Sequence, residues 1–376
     1  MPDHSSAPSR AALLHPQAVI SRTALRHNLR VLTQRAGAGE VMAVVKADAY
    51  GHGAEQVAAL ARAEGVRWLA VATVEEGRAL REAGAEERIL VFAAPLPEHL
   101  PAYQALRLDV TASSLALVHA LAEWGDTNDP IRAHLKIDTG MGRIGIEPEE
   151  AKGAITSLRE AAGVELAGVW THLATSEDED PTFTTLQLNR FREALSGVDT
   201  GPALVHWSNS GAAYGLPADG RGGLLRAGIA LYGHGPTVEA EQEVHPAMQF
   251  IAPVVHVKTV EPGTPISYGR TWTAPRRTRI ATVRAGYADG YPRLASNRGK
   301  VGVAGGRVPV VGRVCMDALM IDIGPEGEGP EVKLGDPVVL FGEGGPSATE
   351  LAGWAETIPY EICCRVSARV PRVYAE

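Results

Sequence analysis

Between about residues 18 and 235, short apolar runs alternate with longer amphipathic segments, the pattern of strands and helices taking turns in a parallel α/β fold. Eight of the apolar runs read as strands: 41–46, 67–72, 88–92, 108–111, 131–137, 164–170, 203–207 and 224–229. Helical stretches lie between them. One helix start is marked locally, because Thr73 and Glu76 stand at the spacing of a capping box ahead of 74–83. Eight strand-and-helix units predict a TIM-type (β/α)8 barrel rather than an open doubly wound sheet.

After Gly235 the texture changes. The β-branched runs 254–260, 279–284, 308–314, 319–323 and 337–340 are broken by Pro and Gly, and one helical segment remains, over 349–356. The expected organisation is therefore a barrel over 12–238 followed by a mostly β domain over 239–376, with residues 1–20 as a candidate addition to the latter. The run Ala18-Val19-Ile20 can pair with either domain.

Length and composition agree with two ordinary globular domains: 376 residues, 45% hydrophobic and 21% charged. A formal charge of -8, with no cluster of Lys and Arg, argues against nucleic acid as a partner. Residues 1–10 lack the apolar core of a signal peptide, and no apolar run approaches a membrane span. Cys315, Cys363 and Cys364 form an odd set with an adjacent pair, a poor disulfide framework that points to a reducing cytoplasm. The histidines are scattered without metal-ligand spacing, so no metal is expected.

In a barrel, the C-terminal strand ends share one mouth, where chemistry collects. The first strand leads into Val44-Val45-Lys46-Ala47-Asp48-Ala49-Tyr50-Gly51. A poorly hydrated ammonium there would have a lowered pKa and could act as a Schiff-base lysine. A lysine at a strand end more often simply reaches into water. Around the fifth strand, Lys136-Ile137-Asp138-Thr139-Gly140-Met141-Gly142-Arg143 gives a guanidinium room beside small residues, either for an anionic ligand or in a tight turn paired to a surface acid. His172 follows the sixth strand. Asn209-Ser210-Gly211 after the seventh suits a phosphate or an unliganded helix cap, and Arg226-Ala227-Gly228-Ile229 ends the eighth. In the β domain, Ser267-Tyr268-Gly269, the stretch 286–293 and Gly312-Arg313-Val314-Cys315-Met316-Asp317 set tyrosines beside arginines, as a phenolate base needs. Cys315 reads as a buried structural thiol in an apolar strand, without a histidine to activate it.

Together these stretches closely resemble the alanine racemase family, pyridoxal-phosphate enzymes of fold type III. The resemblance is carried by residues 43–53, 136–145, 171–172, 209–210, 226–233, 267–269, 286–293, 312–317 and 358–361, so it runs through both domains. It implies an isomerase that interconverts L-alanine and D-alanine, supplies D-alanine for peptidoglycan, and works in the cytoplasm as a homodimer with shared active sites. Lys46 would hold pyridoxal 5'-phosphate and act as the base on one face of Cα. Tyr268 of the other subunit would act on the opposite face. Tyr50, Ser210, Gly228, Ile229 and Tyr360 would bind the phosphate, with Asn209 beside them. Arg226 would face the pyridine nitrogen, supported by His172. With a guanidinium pKa above about 12 in place of an acid, that nitrogen would not gain a proton readily. Arg143 would meet the cofactor phenolate and the substrate carboxylate, with the Met316 N–H as a second donor. The family's carbamylated lysine falls on Lys136. Tyr287, Arg293, Arg313 and Ile358 would line the access channel together with Tyr360, and Glu177 stands where relatives often carry Asp. Two other readings keep the fold: a racemase of serine or of a broader set of amino acids, and a non-catalytic pyridoxal-phosphate carrier. Such carriers typically lack the β domain.

Overall fold

Strand β1 (Gln17–Ser21) alternates half-buried and buried residues, as a strand with one packed face must. In this computed structural model, which describes residues 14–124, 127–217, 220 and 222–376, eight parallel strands follow it. They are β2 (Glu40–Val44), β3 (Trp68–Val71), β4 (Arg88–Val91), β5 (Val110–Ala112), β6 (Ile131–Lys136), β7 (Val164–Trp170), β8 (Leu204–His206) and β9 (Leu224–Ala227). Each lies within two residues of its expected limits, and β7 matches at both ends. The segment 1–10 and the expected barrel start at residue 12 lie outside the described residues.

Strand pairing closes the barrel. β2, β3 and β4 pair in sequence, as do β5, β6, β7 and β8. Asp109 joins β4 to β5, accepting from Val91 N–H and donating to the Ile89 carbonyl. The Gly223 and Arg226 N–H groups bond the carbonyls of Val205 and Ser208, and β9 pairs with β2. Among the described barrel strands no edge is left open, and all eight C-terminal ends face one mouth. The capping box forms as expected, with Thr73 and Glu76 opening the helix Val74–Glu82.

The chain divides into two units. One comprises Ala24–Ala49 and Gly53–His245, and contains the barrel; the other comprises Pro246–Glu376, Tyr50–His52 and the described part of Met1–Thr23. The helix Val238–Glu243, capped by Thr237, occupies the stretch where composition shifts. The second unit is built on the long strand β10 (Met248–Val260), followed by β11 (Pro265–Ile266), β12 (Trp272–Thr273), β13 (Thr278–Val283), β14 (Lys300–Val303), β15 (Gly306–Pro309), β16 (Leu319–Asp322), β17 (Pro337–Phe341) and β18 (Arg372–Ala375). A register shift between Val254 and His256 lets β10 serve two neighbourhoods: its first part pairs with β1 and β17, its second with β13. β1 therefore belongs to this sheet, bonded to β10 on one side and β18 on the other.

The expected strand 308–314 is shorter in the structure. β15 stops at Pro309, and Gly312 has φ +74, a conformation that breaks the ladder and lets the backbone pass close to the Ile266 carbonyl. Cys315 consequently sits in a loop, half-buried, rather than inside a strand.

Candidate active site

Lys46 lies two residues beyond β2, half-buried, with Nζ 5.9 Å from the centre of the Phe92 ring. The backbone after it is left-handed: Ala47, Asp48, Ala49 and Tyr50 have φ of 51, 53, 53 and 53°. For non-glycine residues this costs on the order of 1–2 kcal/mol each, so the surroundings must hold it. The Ala47 N–H donates to Glu76 Oε1 at 2.8 Å, and Asp48 accepts from Ala54 N–H at 2.8 Å and Gly53 N–H at 2.9 Å. Nothing in the sequence marked this conformation, because none of the four residues is glycine.

Arg226, 2% exposed on β9, is the most constrained cation at the mouth. Nη1 lies 2.9 Å from His206 Nδ1; Nη2 donates to the Thr171 and Trp207 carbonyls at 2.9 Å and approaches His172 Nδ1 at 3.2 Å. Nε has no partner among the described residues. Burial, then the Arg143 charge, brings the guanidinium down to about 9, below the usual arginine range but high enough to keep its proton at neutral pH. A guanidinium can only donate, so His172 presents a bare Nδ1. Burial and the charges of Arg226, Arg143, Lys136 and Lys46 hold His172 well below 6.5, and it stays neutral.

Lys136 ends β6 and is 1% exposed. Its Nζ lies 5.1 Å from the Trp170 ring centre and donates to the Ile137 carbonyl at 3.2 Å. Burial lowers its pKa to about 8, with Asp138 opposing and Arg226 and Arg143 adding to the shift. The loop beyond is organised by Asp138, whose carboxylate accepts from the N–H groups of Gly140, Gly142 and Arg143. Of the two readings of that loop, the paired-arginine one has its acid bonded to the Arg143 backbone instead of its guanidinium, which is exposed. Lys46, Lys136, Arg143 and Arg226 thus gather round one neutral imidazole, a setting for an anionic ligand.

Ser210 Oγ accepts from the N–H groups of Gly228 at 3.0 Å and Ala230 at 3.4 Å, at the start of the short helix Ile229–Tyr232. Asn209 is tied within the protein: Oδ1 accepts from Ser176 Oγ and Ala212 N–H, and Nδ2 donates to the Leu173 carbonyl. It fixes the turn that carries Ser210. Glu177 Oε2 lies 3.1 Å from the same Ser176 hydroxyl and competes with Asn209 Oδ1 for its one proton.

The second unit brings another set together. The Tyr50 and Tyr360 rings stand 6.0 Å apart, and burial, then Tyr360 and Cys364, pushes the Tyr50 hydroxyl well above its usual range, so it remains a donor. Tyr268 is 73% exposed on a strained turn, with φ +65 at Ser267 and +47 at Arg270, and Ser267 Oγ donates to the Arg313 carbonyl at 2.6 Å. Tyr287 and Ala288 donate their N–H groups to the Cys315 and Met316 carbonyls. Gly286 is required here, since a Cβ would lie 2.2 Å from the Cys315 oxygen. Arg369, unmarked in the sequence, clamps both loops by bonding Asp289 at 2.8 Å and Asp317 at 2.5 Å. Arg313 is half-buried, while Met316, Ile358 and Arg293 are exposed.

Residues 20–236 match the family described as alanine racemase, N-terminal domain, and residues 247–374 match alanine racemase, C-terminal domain. The chain belongs to the alanine racemase family. The alanine racemase of Chlorobaculum tepidum is 42% identical over 367 residues, spanning 95% of this chain and 94% of that protein. That of Deinococcus radiodurans is 41% identical over 361 residues, spanning 95% and 99%. Among solved structures, the alanine racemase of Clostridium difficile superposes with a TM-score of 0.89 at 37% identity, covering 96% of each chain. The Bacillus anthracis alanine racemase with bound L-Ala-P superposes at 0.86 with 37% identity, covering 96% of this chain and 95% of that one. Alanine racemase membership fits the two-unit chain, and among the described residues no helix is long and apolar enough to cross a membrane.

Proposed function

We propose that the chain exchanges the two hands of alanine by a two-base reaction on pyridoxal 5'-phosphate, with Lys46 and the Tyr268 of a second subunit as the bases. Interconversion of L- and D-alanine itself follows from family membership. The observation that carries the cofactor reading is the unpartnered Nε–H of Arg226, buried in a cluster of cations. A buried donor without an acceptor costs on the order of 1–3 kcal/mol, and a pyridine nitrogen would satisfy it.

The remaining donors fit the other ends of the same group. Ser210 with the Gly228 and Ile229 N–H groups, and the Tyr50 and Tyr360 hydroxyls, would take the phosphate; Arg143 would meet the phenolate and the alanine carboxylate, aided by the Met316 N–H. Lys46 would hold the aldehyde carbon. When bound, pyridoxal phosphate supplies an electron sink for the pair left as Cα loses its proton. Arg226 is far too weak an acid to protonate the ring nitrogen as a carboxylic acid does. It therefore limits that sink and disfavours side reactions such as transamination.

Lys46 takes or returns the Cα proton on one face, and Tyr268 does so on the other, so configuration inverts while the carboxylate stays on Arg143. The exposure of Tyr268 in the single chain supports a site completed by a partner. A carbamate on Lys136 would give Arg143 an anionic neighbour. Tyr287, Arg293, Arg313, Ile358 and Tyr360 would line the approach, and discrimination against serine would be only about 10–200-fold. Three cysteines, an odd set with an adjacent pair, support a cytoplasmic location, and a supply of D-alanine to peptidoglycan is the corresponding role. Borohydride reduction of the loaded enzyme, followed by peptide mapping, should place the label on Lys46; label on another lysine would overturn the assignment.

A further inference from the structure

Beneath Arg226 the barrel interior holds a chain of contacts that the two-base reaction does not use. His206 Nδ1 faces Arg226 Nη1 at 2.9 Å, His206 Nε2 faces His134 Nδ1 at 3.2 Å, and His134 Nε2 faces Asp109 Oδ2 at 3.2 Å. His206, His134 and Asp109 are all 0% exposed. At the far end, Arg88 and Arg132 bond the two Asp109 oxygens at 2.9 and 2.7 Å. Burial opposes the Asp109 charge, but the His134 hydrogen bond and the two arginines outweigh it, and the carboxyl stays ionised.

The two ends dictate every proton between them. Arg226 can only donate, so His206 accepts at Nδ1 and carries its proton on Nε2. That N–H points at His134, which must accept at Nδ1 and carry its own proton on Nε2, toward a carboxylate that can only accept. Any other arrangement sets two N–H groups, or two bare nitrogens, against each other. Since neither end can reverse its role, the chain orients groups and moves no proton.

The backbone makes room for it. The register between β6 and β7 shifts at Ala133 and His134, and the residue opposite His134 is Gly168, where a Cβ would lie 2.2 Å from His134 Nδ1. A bulge and a glycine inside a barrel strand both weaken it; here they clear the volume of one imidazole. Trp170 stacks on His206 at 5.7 Å with planes 3° apart, fixing the second ring.

We propose that Asp109 is a positioning residue: through His134 and His206 it selects the tautomer that accepts from Arg226 Nη1, and so aims the Arg226 Nε–H at the cofactor nitrogen. This rests on the pyridoxal-phosphate reading. With asparagine at 109, the side-chain amide can donate to His134 instead; that end then favours the reversed order of protons while Arg226 still favours the original one, so a single His206 tautomer is no longer imposed from both ends.

Long-range proton–nitrogen spectra of histidine-labelled, cofactor-free protein report each tautomer directly. In the wild type, His206 and His134 should both be neutral with the proton on Nε2; any other state overturns the proposal without a variant. Asp109→Asn should abolish the single His206 tautomer and raise the dissociation constant for pyridoxal phosphate, titrated by absorbance, about tenfold. Gly168→Ala, which displaces His134 without removing a polar group, should do the same if Asp109→Asn fails to fold. A folded variant with unchanged tautomers and unchanged cofactor affinity would overturn the relay. Absence of any pyridoxal phosphate binding by the wild type would instead sink the cofactor reading.

Discussion

Glu76 Oε1 accepts the backbone N–H of Ala47 at 2.8 Å, while its Oε2 accepts that of Ala72 at 2.7 Å. One carboxylate thus caps the helix Val74–Glu82 and anchors the first residue of the left-handed turn behind Lys46. Glu76→Ala should cost about 1–2 kcal/mol in urea unfolding through the lost cap. It should also lower kcat about tenfold, because the turn that presents Lys46 loosens. Loss of stability with unchanged kcat would confine Glu76 to capping.

Ala47 is exposed and left-handed, so glycine there would relieve backbone strain without removing packing. Ala47→Gly should stabilise the protein by about 1 kcal/mol, read as a higher urea midpoint at unchanged slope. A lower midpoint would contradict the strained turn.

Two buried histidines, His206 and His234, and the half-buried His172 set a limit on the acid side. Burial holds His172 and His206 well below 6.5, with Arg226 adding to both, and burial alone brings His234 to about 4. Each takes up a proton on unfolding near pH 6.5 but not in the fold. Stability from these groups is therefore complete above pH 6.5 and falls as pH drops below it, for His234 down to about 4. The slope is at most about 1.4 kcal/mol per pH unit for each histidine. Calorimetry in buffers of different ionisation enthalpy should show proton uptake on unfolding near pH 5.5; its absence would show that these imidazoles are charged in the fold.

Lys136, lowered to about 8, has a neutral amine fraction that grows as pH rises through that value. Only the neutral amine attacks carbon dioxide, so labelled carbon dioxide should give a carbamate carbon signal that strengthens from neutral pH upward and disappears in Lys136→Gln. A signal that survives the substitution would move the carbamate elsewhere.

Much of this was legible in the sequence. The barrel strands announce themselves because each is an apolar run between amphipathic helices, and the Thr73–Glu76 box because a cap is a local hydrogen-bond pattern. What stayed hidden depends on partners distant in the chain. The pairing of β1 with β10 and β18 is invisible in Ala18-Val19-Ile20 alone. The left-handed turn is fixed by Glu76, 29 residues away from Ala47. Arg369 gives no sign of bridging Asp289 and Asp317, and His134 looks like any strand residue until Gly168 is seen to yield its space. Cys315 reads as a strand residue in the sequence because the β-branched run around it masks the break at Gly312.

The central claim is that Lys46 of one subunit and Tyr268 of another make one site. Mixing inactive Lys46→Ala protein with inactive Tyr268→Phe protein, under conditions where subunits exchange, tests it directly by the interconversion of L- and D-alanine. Activity should return, because each mixed dimer regains one site with both bases intact. No return of activity despite demonstrated exchange would contradict the shared two-base site.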